Sequence, residues 1–399
     1  MILFRKLNDV YLNFEGDKAD LQTLSDYFTF KVPGANFTPA YRNKYWDGKI
    51  RLANLKDSTI YAGLVQDIAK FSKDLDIDVE FEGTKKDMPG IENNIDDKIL
   101  DGFLDALDLH SGGKKIQMRD YQIDAFKKGV RKQRMLCLSP TASGKSLIIY
   151  ALMRWWREIH DRKILIIVPT INLVTQLMSD FIDYSNDKFS DMHGIMGGKE
   201  KQTDARVVVS TWQSLYKMSA GYFAQFGSVI VDEVHHAQSK SIQNIMKKLV
   251  ICPDRVGMTG TIQEAKTHEL VLKGLFGNVE KMISTKELID KEQISDVKIQ
   301  LLRLNYSDND KKLVKDMNYQ DEIAHIINHE KRQKFISKLA ADLPGNTLVV
   351  FSRLDHGKEL HRQIDEITER EVHYIAGETD KDSREMTRQF AEKNDVTIV

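Results

Sequence analysis

The 399-residue chain is predicted to fold as an α/β protein built on parallel sheets, preceded by a small α+β domain. Three observations predict it. Four short apolar runs, at 135–138, 164–168, 207–209 and 229–231, alternate with helical stretches, and apolar runs without polar alternation belong to strands covered on both faces. Small or polar residues come directly after each run: Ser139, Pro169-Thr170, Ser210-Thr211 and Asp232-Glu233. These positions are the carboxyl ends of the strands, where open parallel sheets bind ligands. A second series of the same kind starts late in the chain, with strands expected at 297–302, 346–353, 372–377 and 396–399.

Length predicts two or three domains. The expected division is an N-terminal α+β domain at 1–82, a linker and connecting helix at 83–112, a first parallel-sheet domain at 113–290 and a partial second one at 291–399. With a net charge of -1, a polyanionic partner must be held by local basic patches and not by a global field. Cys137 and Cys252 lack a neighbouring Cys or His at metal-ligand spacing, which makes them reduced core residues of a cytoplasmic protein. Residues 1–6 are too short an apolar stretch for a signal peptide, and the longest uncharged run, 164–179, is too short to span a bilayer. No membrane association is expected.

In the N-terminal region, strands are expected at 10–14, 50–52 and 77–81, with a helix at 17–28. Between them Phe37, Tyr41, Tyr45 and Trp46 interleave with Arg42, Lys44, Lys49 and Arg51. Aromatics stack on bases while cations neutralise phosphates, so the segment suits nucleic acid. Tyr41 is the expected stacking residue. Phe37, Tyr45 and Trp46 would equally suit a small core, with Asp47-Gly48 as a hairpin turn. Polar residues including Lys85, Lys86, Asp87 and Pro89 then form a linker, with a helix after it at 91–109. The basic run Lys127, Lys128, Arg131, Lys132 and Arg134 is expected to be a solvated helix end.

The central region carries the chemistry. Ser139-Pro140-Thr141-Ala142-Ser143-Gly144-Lys145-Ser146 lies between an apolar strand and an apolar helix. A loop of small residues turns its N–H groups inward around phosphates, and the helix N-terminus adds partial positive charge. Thr141, Ser143, Gly144, Lys145 and Ser146 would hold a nucleotide, with Lys145 on the β- and γ-phosphates and the Ser146 hydroxyl on Mg²⁺. Only Ser139, in place of glycine, departs from the phosphate-loop pattern. Asp232 at the end of another strand can hold Mg²⁺ opposite that loop. Glu233 beside it can orient and deprotonate an attacking water. His235 and His236 can relay contacts to another domain, or form a solvated pair.

Asp232-Glu233-Val234-His235 resembles the DExH box of superfamily 2 helicases, and residues 140–146 resemble their motif I. Met118-Arg119-Asp120-Tyr121-Gln122 resembles the adenine-recognition segment, which implies base reading by Gln122 beside Arg119. Pro169, Thr170 and Gln176 match motif Ia, Ser210 and Thr211 motif Ib, and Thr259 with Thr261 motif III. The resemblance implies nucleic-acid backbone contacts for the first two sets and coupling to nucleotide state for the third. Ala142 stands where many members have glycine, and motif III is not Ser-Ala-Thr, which disfavours a DEAD-box RNA helicase. Residues 346–353 resemble motif IV, which adds Arg353 to the nucleic-acid contacts.

With the segment 37–51 and Tyr61-Ala62-Gly63-Leu64-Val65, the chain resembles the phage UvsW-type recombination and repair helicases. That resemblance implies tandem RecA-like domains, the second incomplete because motifs V and VI would come after Val399. It further implies an ATP- and Mg²⁺-dependent monomer that remodels branched DNA, including forks, junctions and R-loops with their RNA–DNA hybrids, in the host cytoplasm. Turnover by the 399-residue chain is expected to be impaired for want of the motif VI arginines. A DExH-type RNA helicase and a nucleotide-gated DNA-binding protein without turnover are the alternative readings.

Overall fold

The computed structural model describes residues 1–83, 88–197, 200–235, 240–261, 266–394 and 397–399. Lys85, Lys86 and Asp87 of the expected linker, His236, and Val396 of the expected last strand lie outside the described residues. The chain forms two compact units, Met1–Asp296 and Val297–Val399.

The first unit opens with β1 (Ile2–Lys6), β2 (Tyr11–Gly16), β3 (Thr29–Lys31), β4 (Lys49–Arg51), β5 (Ala53–Asn54), β6 (Thr59–Tyr61) and β7 (Val79–Phe81). Five of these make a sheet in the order β5-β6-β2-β1-β7, while β3 and β4 pair separately as an antiparallel ribbon. Period-two alternation decides which face is buried: Ile2, Phe4, Leu12 and Phe14 point inward, fully buried, while Leu3, Arg5 and Asn13 do not. The helices Lys18–Tyr27 and Val65–Leu75 close over that face with Leu24, Ile68 and Phe71.

This sheet is fused to the rest of the first unit. One continuous apolar core runs from Phe4 and Phe14 through Tyr61, Ala62 and Leu64 to Leu272, Leu275 and Phe276 of the helix Lys266–Phe276. The approach is so close that a Cβ on Gly63 would lie 2.1 Å from the Lys273 carbonyl oxygen, and one on Gly274 would lie 2.8 Å from the Tyr61 Cβ. Polar contacts reinforce the seam. The Asp9 N–H donates to the Val250 carbonyl at 3.0 Å, Lys273 pairs with Asp67 at 3.5 Å, and the buried Arg134 guanidinium donates to the Asp9 carbonyl.

After a short hairpin of β8 (His110–Ser111) and β9 (Lys114–Lys115) come β10 (Arg134–Leu138), β11 (Lys163–Val168), β12 (Met192–Ile195), β13 (Val207–Thr211), β14 (Phe226–Val231), β15 (Asp254–Thr259) and β16 (Val279–Lys281). These seven form a parallel sheet in the order β12-β13-β11-β14-β15-β10-β16. Its central strands are buried on both faces, with the helices Lys145–Ile159 and Ile171–Tyr184 on one of them. This is the RecA-like arrangement.

The connecting helix is Asp97–Ala106, shorter than the expected 91–109 because Asp96 caps it, accepting from the Lys98 N–H at 3.0 Å. The basic run before β10 is not a solvated helix end. Lys127 pairs with Asp97 and Asp101, Arg131 with Asp97, Lys132 with Glu92 and Glu280, and Arg134 is buried. Those cations clamp the connecting helix and β16 to the helix Asp120–Lys132.

The second unit contains the helices Asp308–Val314, Tyr319–Asn328, Glu330–Asp342, Leu354–Asp365 and Lys381–Lys393. Residues 297–302 form no strand, and among the described residues the expected strands at 346–353, 372–377 and 396–399 meet as isolated parallel bridges of Ile398 to Thr347 and Val372. Hydrogen bonds such as Val349 N–H to the Val399 carbonyl, 2.8 Å, extend them. Leu348 and Val350 stay largely exposed, so these segments lack the double cover that lengthens strands elsewhere.

Candidate functional site

β10 delivers the chain to the loop 139–144 at the carboxyl edge of the parallel sheet. Ser139, where a phosphate loop usually has glycine, is fully buried and works as an internal tie: its hydroxyl donates to the Ser143 hydroxyl at 2.7 Å, and that hydroxyl donates to the Pro140 carbonyl at 2.7 Å. Ala142 and Gly144 both lie in the left-handed region, at φ 65° and 74°. A glycine is required at the second of these, since a Cβ there would lie 2.4 Å from the Gln122 Nε2. Gly144 then caps the helix Lys145–Ile159.

Gln122 and Arg119, expected to meet the adenine, sit directly behind this loop. The Gln122 amide donates to the Ser143 carbonyl at 3.0 Å and to the Gly144 carbonyl at 3.4 Å, while its Oε1 accepts from the Arg119 N–H at 2.9 Å. Tyr121, which lies within the adenine-recognition segment but is given no role there, donates to the same Ser143 carbonyl at 2.9 Å and accepts from the Arg119 guanidinium at 3.0 Å. Gln122 is thus a buried brace of the phosphate loop in this structure, with its polar atoms committed.

Across the cleft, β14 ends at Val231 and presents Asp232 and Glu233, the latter at φ 49°. Lys145 lies 3.2 Å from one Glu233 oxygen, and His235 Nδ1 lies 3.2 Å from the other. His235 Nδ1 is also 3.0 Å from the Thr259 hydroxyl, which donates to the Thr261 carbonyl at 2.8 Å. The β15 end is tied back to the loop, because the Ser139 N–H donates to the Thr259 carbonyl at 2.9 Å. Motifs I, II and III are therefore one bonded chain.

Asp232 is the exception in this network: its Oδ1 is buried without a hydrogen-bond partner. Burial first, and then the neighbouring Glu233 charge, push its carboxyl up to about 6, against the pull of Lys145. A buried carboxylate oxygen left open beside a phosphate loop fits a divalent cation. Among the described residues no cluster of three or more acidic, His or Cys side chains is placed to hold a metal ion; Mg²⁺ is commonly held by one or two carboxylates together with phosphate and water. The Ser146 hydroxyl is bonded to the Tyr184 hydroxyl at 2.7 Å.

The expected nucleic-acid residues separate into two groups. Thr170 and Gln176 are exposed, Thr170 capping the helix Ile171–Tyr184, and the Pro169 carbonyl accepts from the exposed Gln213 at 3.4 Å. The Ser210 and Thr211 side chains are both buried, Ser210 donating to the Ile195 carbonyl and Thr211 bonded to the Ser214 hydroxyl, which leaves their backbone as what could face a nucleic acid. The side chain exposed there is Gln213. In the N-terminal segment, Phe37 is 70% and Tyr45 86% exposed, so neither is core. Tyr41 is 42% exposed and rests its ring against Gly48, which makes Tyr45 the freer stacking surface. Trp46 donates to the Lys49 carbonyl at 2.8 Å. Arg42, Lys44 and Lys49 are exposed, whereas Arg51 is held by both oxygens of Asp47, whose carboxyl that guanidinium keeps at about 2. Arg353, in the second unit, donates to Gln320 at 3.0 Å.

The family described as "DNA helicase UvsW, N-terminal" matches residues 2–82, and that described as "Type III restriction enzyme, res subunit" matches residues 115–264. The ATP-dependent DNA helicase UvsW of Enterobacteria phage T4 is 33% identical over 396 residues, 98% of this chain and 78% of that protein. The chain is a UvsW-family DNA helicase. Two solved structures of the phage T4 UvsW helicase resemble this one. The first has a TM-score of 0.65 at 33% identity, over 70% of this chain and 99% of that one; the second has a TM-score of 0.66 at 32% identity, over 100% and 79%. The DNA 3'-5' translocase XPB2 of Sulfurisphaera tokodaii is 29% identical over 54% of this chain and 46% of its own length. As a UvsW-family member of superfamily 2 the protein hydrolyses ATP and acts on DNA, which sets aside both alternative readings. Among the described residues no helix is long and apolar enough to cross a membrane.

Proposed function

We propose that this UvsW-family helicase remodels branched DNA, such as forks, junctions and R-loops with their RNA–DNA hybrids, and that it works as a monomer. The observation that supports the reading is the bonded chain Lys145–Glu233–His235–Thr259, which links motifs I, II and III. Lys145 is paired with Glu233 at 3.2 Å. A triphosphate entering the loop draws the Lys145 ammonium away, leaving Glu233 to orient water and accept its proton. His235, on the other Glu233 oxygen, carries that change to Thr259 and so to the segment after β15. Ser146 and Asp232 would hold Mg²⁺, whose chemistry is to neutralise charge on the phosphate oxygens. Gln122, Arg119, Thr141, Ser143 and Gly144 shape the nucleotide pocket.

In the same reading, residues 1–82 form the DNA-gripping module, 83–112 its connection, 113–290 the first RecA-like domain and 291–399 part of the second. Arg42, Lys44 and Lys49 meet phosphates, Tyr45 and Tyr41 stack, and Pro169, Thr170, Gln176, Gln213 and Arg353 track the DNA backbone. The test is steady-state ATPase with forked DNA, duplex DNA and RNA as activators, on the wild type, Lys145→Ala and Glu233→Gln. Forked DNA should stimulate most, Lys145→Ala should weaken nucleotide binding, and Glu233→Gln should bind ATP without cleaving it. Equal stimulation by all three nucleic acids, or full turnover by Glu233→Gln, refutes the proposal.

A further inference from the structure

The Ser146 hydroxyl has a partner outside the motifs. It is bonded at 2.7 Å to the Tyr184 hydroxyl, and the Asp180 carboxyl is close enough to interact with the same hydroxyl. Both partners project from the helix Ile171–Tyr184, four residues apart and so on one face. Each is half-buried. The Tyr184 ring is fixed edge-on against Tyr150 of the neighbouring helix, with ring centroids 5.7 Å apart.

A hydroxyl that binds a cation does so through an oxygen lone pair, so its single proton must point elsewhere. Where it points decides whether the lone pair faces the metal. Groups that take such a proton orient the ligand and raise its basicity. Building on the reading of Ser146 as a Mg²⁺ ligand, we propose that Asp180 and Tyr184 are positioning residues that share the one Ser146 proton in a three-centre hydrogen bond and so turn its lone pair toward the cation. Their helix starts directly after Thr170, so the segment assigned to the DNA backbone and the acceptors of the Ser146 proton belong to one rigid element.

The experiment measures binding of a fluorescent ATP analogue to the full chain as Mg²⁺ is titrated, and again in excess EDTA. Asp180→Asn and Tyr184→Phe are each tested alone and combined with Ser146→Ala. Tyr184→Phe removes one oxygen and keeps the ring packing, so it guards against a folding defect; matching urea midpoints verify that. Each single variant should raise the Mg²⁺ concentration at half-effect about tenfold while metal-free binding stays unchanged. In the Ser146→Ala background neither should add a further shift. If Ser146→Ala raises the Mg²⁺ requirement and the two variants do not, the positioning role is wrong. Additive shifts in the double variants refute it equally, since the residues would then act independently of Ser146. If Ser146→Ala itself leaves the Mg²⁺ dependence unchanged, the underlying metal assignment fails and takes this inference with it.

Discussion

Replacing Gly144 by alanine tests how the phosphate loop is held. Gly144 sits at φ 74° and ψ 43°, where an L-residue is strained, and an alanine there costs about 1–2 kcal/mol from backbone sterics alone. The new Cβ would also lie 2.4 Å from the Gln122 Nε2. Gln122 is 3% exposed and cannot swing into solvent freely, so its amide must give up the Ser143 and Gly144 carbonyls, at about 1–3 kcal/mol for buried polar groups left unpaired. The expected total is about 2–5 kcal/mol. A double-mutant cycle in urea unfolding separates the two parts. In a Gln122→Ala background the clash is gone, and Gly144→Ala should cost only the backbone share, leaving a coupling of about 1–3 kcal/mol. An equal cost with and without Gln122 would show that the loop does not lean on this side chain.

Three further outcomes are expected from other parts of the structure. Asp232, pushed up to about 6, opposes folding when ionised and does so less as pH falls through 6 toward the ordinary aspartate range. Asp232→Asn should therefore stabilise the nucleotide-free protein at pH 7.5 by up to about 3 kcal/mol; a lower urea midpoint at that pH, or a gain that does not shrink by pH 5, contradicts the cause given. Neutralising Arg42, Lys44 and Lys49 together should flatten the salt dependence of forked-DNA binding by roughly three units of slope, whereas Arg51→Gln should change it little because Asp47 already holds that cation. Gly63→Ala places a methyl group 2.1 Å from the Lys273 carbonyl oxygen, and should cost about 3 kcal/mol or more. Unchanged stability, with undiminished amide protection in β1 and β2, would mean that the seam tolerates separation.

What the residues reveal in advance depends on how each signal is written. β10, β11, β13 and β14 are apolar along most of their length, and double burial leaves no other pattern to confuse them with. β15 escapes prediction because it starts with Asp254 and Arg255. Both are buried, Asp254 accepting from Ser228 at 3.1 Å and Arg255 donating to the carbonyls of Cys252, Met246, Leu249 and Leu275. No periodicity announces that a charge will be satisfied by backbone. β12, with His193 and Gly194 in the middle, hides for a similar reason. The phosphate loop and the paired carboxylates are legible because their chemistry is local. The Ser210 and Thr211 side chains are not, since only tertiary packing decides whether a strand-end hydroxyl turns outward. Tyr121 lies between the marked Arg119 and Gln122, but only the fold shows it bonding the loop at Ser143; Tyr184 reaches Ser146 from another helix, and nothing in its neighbourhood marks it.

The core shared between the N-terminal sheet and the helix Lys266–Phe276 bears on how the chain is made. On the ribosome, Gly63 emerges about two hundred residues before Gly274. At roughly 5–20 residues per second that is an interval of about 10–40 s. β1, β2 and β6 can pair during it, but the surface at Tyr61 and Gly63 that meets Lys273 and Gly274 lacks that counterpart until it is translated. For that time the nascent chain carries an apolar surface that the finished protein never shows. Synthesis of this helicase is thus sensitive to pauses between the two segments, and an N-terminal fragment released early would be prone to aggregate through that face.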